Sequence, residues 1–115
     1  MSTNTYPVFF NSAMLEDTVS ILYRVPRSPS GTILQNLQVK ITNTTSATRS
    51  VSVYAVPASS EPAPHNAVAL NMSVPPNDYL LLPVERLANE GSIQAHADEP
   101  EALSAQPIGG KLYIP

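Results

Sequence analysis

Apolar residues recur at every second position through most of this chain, the period of a β-strand with one buried face. Val19, Ile21 and Tyr23 alternate with Ser20, Leu22 and Arg24, and Ile33, Leu37, Val39 and Ile41 share a parity opposite to Gln38, Lys40 and Thr42. Val51, Val53 and Ala55 alternate with Ser50, Ser52 and Tyr54. The polar run Asn43-Thr44-Thr45-Ser46-Ala47-Thr48 predicts an antiparallel hairpin between these last two segments. Val68, Leu70, Met72 and Val74 repeat the alternation, Pro75-Pro76-Asn77-Asp78 marks a turn, and Tyr79 to Pro83 reads as the next strand. Val84 to Asn89 is the one stretch that reads as a helical turn, closed by Glu90-Gly91. Ile93, Ala95 and Ala97 mark another strand. Leu103 to Gln106 and Lys111 to Ile114 read as the last two, with a bend at Ile108-Gly109-Gly110.

Twelve prolines punctuate these segments. Each interior proline breaks a helix or removes a hydrogen bond from a central strand, so the pieces between them are short. Seven or eight strands, spaced about ten residues apart, define an all-β antiparallel sandwich, jelly-roll-like or immunoglobulin-like; both topologies give the same alternation. The sandwich domain spans residues 18–115. Residues 1–17 form an extended N-terminal arm, polar except for Tyr6-Pro7-Val8-Phe9-Phe10, and residues 57–66 read as an exposed proline-rich loop. No strand–helix alternation occurs, which excludes a doubly wound nucleotide-binding fold.

Composition narrows the function classes. In 115 residues, 43% are hydrophobic and only 13% charged, about half the usual charged share, which argues for a folded chain. Nine acids against six scattered bases give a net charge of −3 and assemble no basic face, so no nucleic-acid partner is expected. There is no cysteine, which removes thiol chemistry, cysteine-held zinc and disulfides, and shifts weight toward an intracellular origin or stabilisation by assembly. The first 17 residues lack a basic start and an apolar core of signal-peptide length. The longest apolar run elsewhere, Leu80 to Val84 with a proline inside, is far short of a membrane span. The expectation is a chain made in a cytoplasm with no membrane partner.

Candidate chemistry is sparse. His65 sits in the proline-rich loop and His96 on the polar side of a strand, neither at a metal-ligand spacing. Asp98-Glu99-Pro100-Glu101 lacks the spacing of a calcium loop and reads as a solvated turn. No nucleophile signature occurs, and nothing pairs Glu85, Glu90 or Glu101 for glycoside chemistry. The reading is not an enzyme, with no cofactor and no metal. Asn43-Thr44-Thr45 and Asn71-Met72-Ser73 match the N-glycosylation pattern by chance in a surface rich in Asn, Ser and Thr. Two features point to protein contact. Tyr54 falls on the parity opposite Val51 and Val53, outward beside serines. Tyr6, Val8, Phe9 and Phe10 place an apolar patch on a polar arm, which either caps an open end of the core or docks on a neighbouring subunit.

The order of segments resembles small virion proteins of tailed bacteriophages. The resemblance rests on Val19-Ser20-Ile21-Leu22-Tyr23-Arg24-Val25-Pro26, then the strand Gly31 to Thr45, then Ser52-Val53-Tyr54-Ala55-Val56-Pro57 before a variable loop. It continues through the turn and strand Val74 to Leu82 and Gly91-Ser92-Ile93-Gln94-Ala95-His96-Ala97, covering residues 19–115. Pro107 and Gly109-Gly110 depart from the simpler final strands of that family. The resemblance implies a virion component made in the host bacterial cytoplasm. It would be a capsid decoration (cement) protein that binds the major capsid protein or neighbouring virion proteins as a homo-oligomer, with a trimer favoured. A neck, collar or tail subunit and a carbohydrate-binding sandwich are the alternatives.

Overall fold

Nine strands carry the chain in a computed structural model that describes residues 4–8 and 10–115. They are β1 (Asn4–Pro7), β2 (Ala13–Met14), β3 (Ser20–Arg24), β4 (Ile33–Asn43), β5 (Arg49–Val56), β6 (Ala67–Val74), β7 (Asp78–Ala88), β8 (Ser92–Ala97) and β9 (Leu103–Ile114). One sheet runs β1-β9-β4-β7, with β2 also on β9, and the other runs β3-β8-β5-β6. Every pairing among them is antiparallel. The first half of the chain pairs with the second in reverse order: β5 with β6, β4 with β7, β3 with β8, and β1 and β2 with β9. The chain is thus one long ribbon doubled back at residues 57–66 and rolled into two facing sheets. Of the two topologies the alternation allows, this is the jelly roll.

Two of the predicted connections change. The run 44–48 does not close a hairpin, because both sides of β4 are taken by β7 and β9, so the chain crosses to the other sheet to begin β5. Asn43 anchors the crossing from within the core. Its Nδ2 donates to the carbonyls of Ala47 (2.8 Å), Val74 (3.0 Å) and Pro75 (3.2 Å). Its Oδ1 accepts from Thr45 N (2.9 Å) and Thr45 Oγ1 (2.7 Å). Val84 to Asn89 is not helical, since residues 84–88 continue β7 along β4, with Val84 opposite Leu37 and Leu87 opposite Leu34.

The expected bend at Ile108-Gly109-Gly110 lies inside a continuous β9. It belongs to a kink shared by three strands. Asn36 has φ +60° and is unpaired on both sides, while the pairings around it keep one register, Gln35 with Arg86 and Lys111 and Leu37 with Val84 and Gly109; the inward positions therefore step by three rather than two, Leu34 then Leu37 and Leu87 then Val84. Leu34, not Ile33, is therefore buried. Gly110, at φ +80°, packs against Leu37.

The core fills the space between sheets with Leu34, Leu37, Val39 and Ile41 of β4 together with Val51 and Val53 of β5 and Ile93 of β8. Small residues at Ala95, Ala97 and Ala105 let the layers pack closely. In β6 a second irregularity breaks the alternation: Asn71 has φ +49°, and its N–H donates to Ser52 Oγ (2.9 Å) rather than to a backbone partner. Ala69 and Val74 are buried, whereas Leu70 and Met72 are exposed.

Candidate contact surface

Strands β1 and β2 are one strand with its middle lifted out. Asn4 lies opposite Ile114 and Ala13 opposite Ala105, so both pieces keep the same register on β9. Between them, Val8 and residues 10–12 lie off the ladder where β9 carries Pro107, which has no N–H to offer. Val8 N still reaches Gly110 O at 3.3 Å. A cleft of about 430 Å³ remains, lined by Val8, Phe10, Asn11, Ser12, Gln106, Pro107 and Gly109.

This geometry divides the residues expected to make contacts. Val8 and Phe10 turn into the core, and the Phe10 ring packs 6.3 Å from the ring of Tyr23, tilted by 35°. Of the two readings of the arm, folding back onto the core describes these two side chains. Burial pushes the Tyr23 phenol above its ordinary value. Tyr6 is 50% exposed on β1. Phe9 lies outside the described residues. Leu15 is fully buried, with its N–H on Leu103 O (2.8 Å) and its carbonyl accepting from Glu101 N (3.1 Å).

Tyr54 points away from the core, as its parity implies, but is only 7% exposed. Its ring lies 6.0 Å from that of His96, near parallel at 23°, with the hydroxyl 3.4 Å from His96 Nε2. Beside them a polar cleft of about 330 Å³ is lined by Asp17, Ser50, Ser52, Asn71, His96 and Asp98. The structure brings none of Tyr6, Val8 or Phe10 to this cleft. His65 is exposed in the short turn Pro64–Asn66. Among the described residues, no three His, Asp or Glu side chains gather as a metal site would require, and no helix is long and apolar enough to cross a membrane. Asn43, in one of the glycosylation matches, is buried with its amide fully bonded and is closed to such a modification.

Alternation alone misassigns a further set. Val19 and Ile21 share parity with Tyr23 and read as core, yet both are exposed; a register shift between Ile21 and Tyr23 turns Leu22 and Tyr23 inward instead. Leu70 and Met72 are misread for the same reason, at the Asn71 bulge. Strict alternation carries no signal for a bulge.

No protein-family model matches this chain, and no curated protein matches it. Solved structures do. The fold is similar to chains in the structures of infectious bursal disease virus, Gx strain (TM-score 0.56, 9% identity, 99% of this chain) and Gt strain (TM-score 0.54, 10% identity, 97% of this chain). It is similar as well to a chain in the crystal structure of the T13 particle of that virus (TM-score 0.54, 9% identity, 98% of this chain). The chain spans about a third of the length of each of these, 33%, 33% and 31%. At such identity the likeness is one of fold.

Proposed function

We propose that this chain is a structural subunit of a virus particle, acting through protein–protein contacts rather than catalysis. More closely, we read it as a capsid decoration (cement) protein of a tailed bacteriophage. It binds the major capsid protein or its neighbours on the mature shell as a homo-oligomer, with a trimer favoured. The observation that carries the reading is the agreement of nearly the whole jelly roll with chains of solved viral particles. The phage assignment rests on the strand and turn motifs of residues 19–115. A protein that binds only the assembled shell stabilises it by mass action.

The test is to count copies of the chain in purified particles of the virus that encodes it, by quantitative mass spectrometry. Hundreds of copies per particle support decoration. A dozen or fewer move the chain to the neck or tail, and its absence overturns the virion assignment.

A further inference from the structure

The outer faces of the two sheets differ. On the β3-β8-β5-β6 sheet the outward Ser52 and Tyr54 are already covered, at 1% and 7% exposure. The outer face of the other sheet is open, and its register lines up three rows across the strands. Met14 and Tyr79 lie in the first, Lys40 beside Leu81 in the second, and Gln38 between Ile108 and Pro83 in the third. Ile41 and Val39, which alternate with these positions along β4, face the core. Met14, Tyr79, Leu81 and Ile108 are all exposed, so one sheet presents apolar side chains outward in a regular array.

Lys40 is the only charged residue in these rows, and it sits in the middle one on a central strand. It is half-buried, with its ammonium 4.7 Å from the centre of the Tyr79 ring. That contact draws the cation down onto the face and fixes where it stands. Among the described residues the ion pairs are Arg27 with Glu90 and Arg49 with Glu99, and neither involves Lys40. Further along the face Lys111 and Arg86 stand on either side of Gln35, with Glu85 next to Arg86 on the edge strand. This face is therefore net positive on a chain whose net charge is −3. A held cation without a counter-ion, ringed by apolar side chains, is complementary to a carboxylate set in an apolar surround.

We infer that this outer sheet face is where the chain docks on a different virion protein, and that the surface it meets there carries an aspartate or glutamate opposite Lys40. The size suits a specific contact. The 11 residues of β4 extend about 37 Å, and four strands about 4.8 Å apart cover about 19 Å. The face thus offers on the order of 700 Å², close to the ~800 Å² per partner of a standard stable interface. The inference rests on the virion reading above and deepens it, by naming the face used and the chemistry of the surface it takes.

Lys40 and Lys111 are the only lysines of the chain, so a carbodiimide, which couples an amine directly to a carboxylate, gives a readable map of the contact. Purified particles are treated with it and the joined peptides are identified by mass spectrometry. The expected product links Lys40 to an aspartate or glutamate of another virion protein. A chain present in the particles with Lys40 uncoupled overturns the inference, and so does Lys40 coupled to a second copy of this chain. Either result leaves the particle assignment standing, whereas absence of the chain overturns both. Particles are then grown with variants of the chain. Lys40→Glu should lower its copies per particle by about tenfold or more, while Lys40→Arg, which keeps the charge, should stay within about twofold of native. Native copy number for Lys40→Glu overturns the inference. If circular dichroism of purified Lys40→Glu shows lost strand signal, Leu81→Glu takes its place with the same expected outcome.

Discussion

The side-chain amide of Asn43 donates across 3.0 Å to the carbonyl of Val74, joining the last residue of a central strand in one sheet to the last residue of an edge strand in the other. The same amide holds Ala47 and Pro75, so one fully buried polar group sets both the crossing between sheets and the β6–β7 corner. Asn43→Ala removes these bonds and leaves buried carbonyls without a donor, at a cost of about 2–3 kcal/mol. Asn43→Asp, which cannot donate to three carbonyls, should cost at least as much. Urea unfolding measures both; a loss under about 1 kcal/mol for Asn43→Ala would count against the anchor.

Gly110 answers for the three-strand kink. Its φ is +80°, and a Cβ there would sit 2.9 Å from Leu37 Cδ1 and 3.2 Å from Leu37 Cα. Gly110→Ala combines backbone strain with a clash in the core and should cost about 2–4 kcal/mol. Gly109→Ala meets only Asn36 O at 3.6 Å and carries the φ penalty alone, about 1 kcal/mol. Thermal melting of the two variants should separate them clearly.

Tyr6 just before Pro7 and Phe10 a few residues after it have opposite duties. Phe10, 8% exposed, is expected to cost about 3–5 kcal/mol when cut to alanine. Tyr6→Ala should change the stability of the isolated chain by no more than about 0.5 kcal/mol. Denaturant curves at one protein concentration decide it.

The Tyr23 phenol is held above its usual value of 10.0 because burial disfavours the phenolate. In the unfolded chain it ionises near that value, so its contribution to stability is complete below about pH 10 and is lost as pH rises through the folded pKa. Tyr23→Phe should flatten the fall in stability above that pH, read from melts at successive pH values, while leaving neutral pH nearly unchanged.

The sandwich was legible wherever alternation runs unbroken. Leu37, Val39 and Ile41 face inward as their spacing implies, as do Val51 and Val53, and Ile93, Ala95 and Ala97. It was illegible at three irregularities. The step between Ile21 and Tyr23 and the bulge at Asn71 shift the register, and Asn36 at φ +60° changes which parity of β4 faces inward, so Ile21, Leu70 and Ile33 read as core and are not. The hairpin error has another cause, because a polar run between two strands looks alike whether it turns within a sheet or crosses between two. Of the arm, the apolar character of Val8 and Phe10 was plain. Their insertion depends on a gap in the β9 ladder, which no local pattern announces.

The doubled-back ribbon has a consequence for the order of events in folding. Only β5 and β6 are neighbours in both sequence and sheet, so the loop closed at lowest entropic cost is the one at residues 57–66. Each later pairing, β4 with β7, then β3 with β8, then β1 and β2 with β9, closes a longer stretch of chain that the previous pairing has already shortened. Loop-closure entropy thus favours a zipper from the middle outward, in a topology rich in distant contacts, the kind that folds slowly. On the ribosome, β1 and β2 must wait for β9, the last strand made, before they can pair.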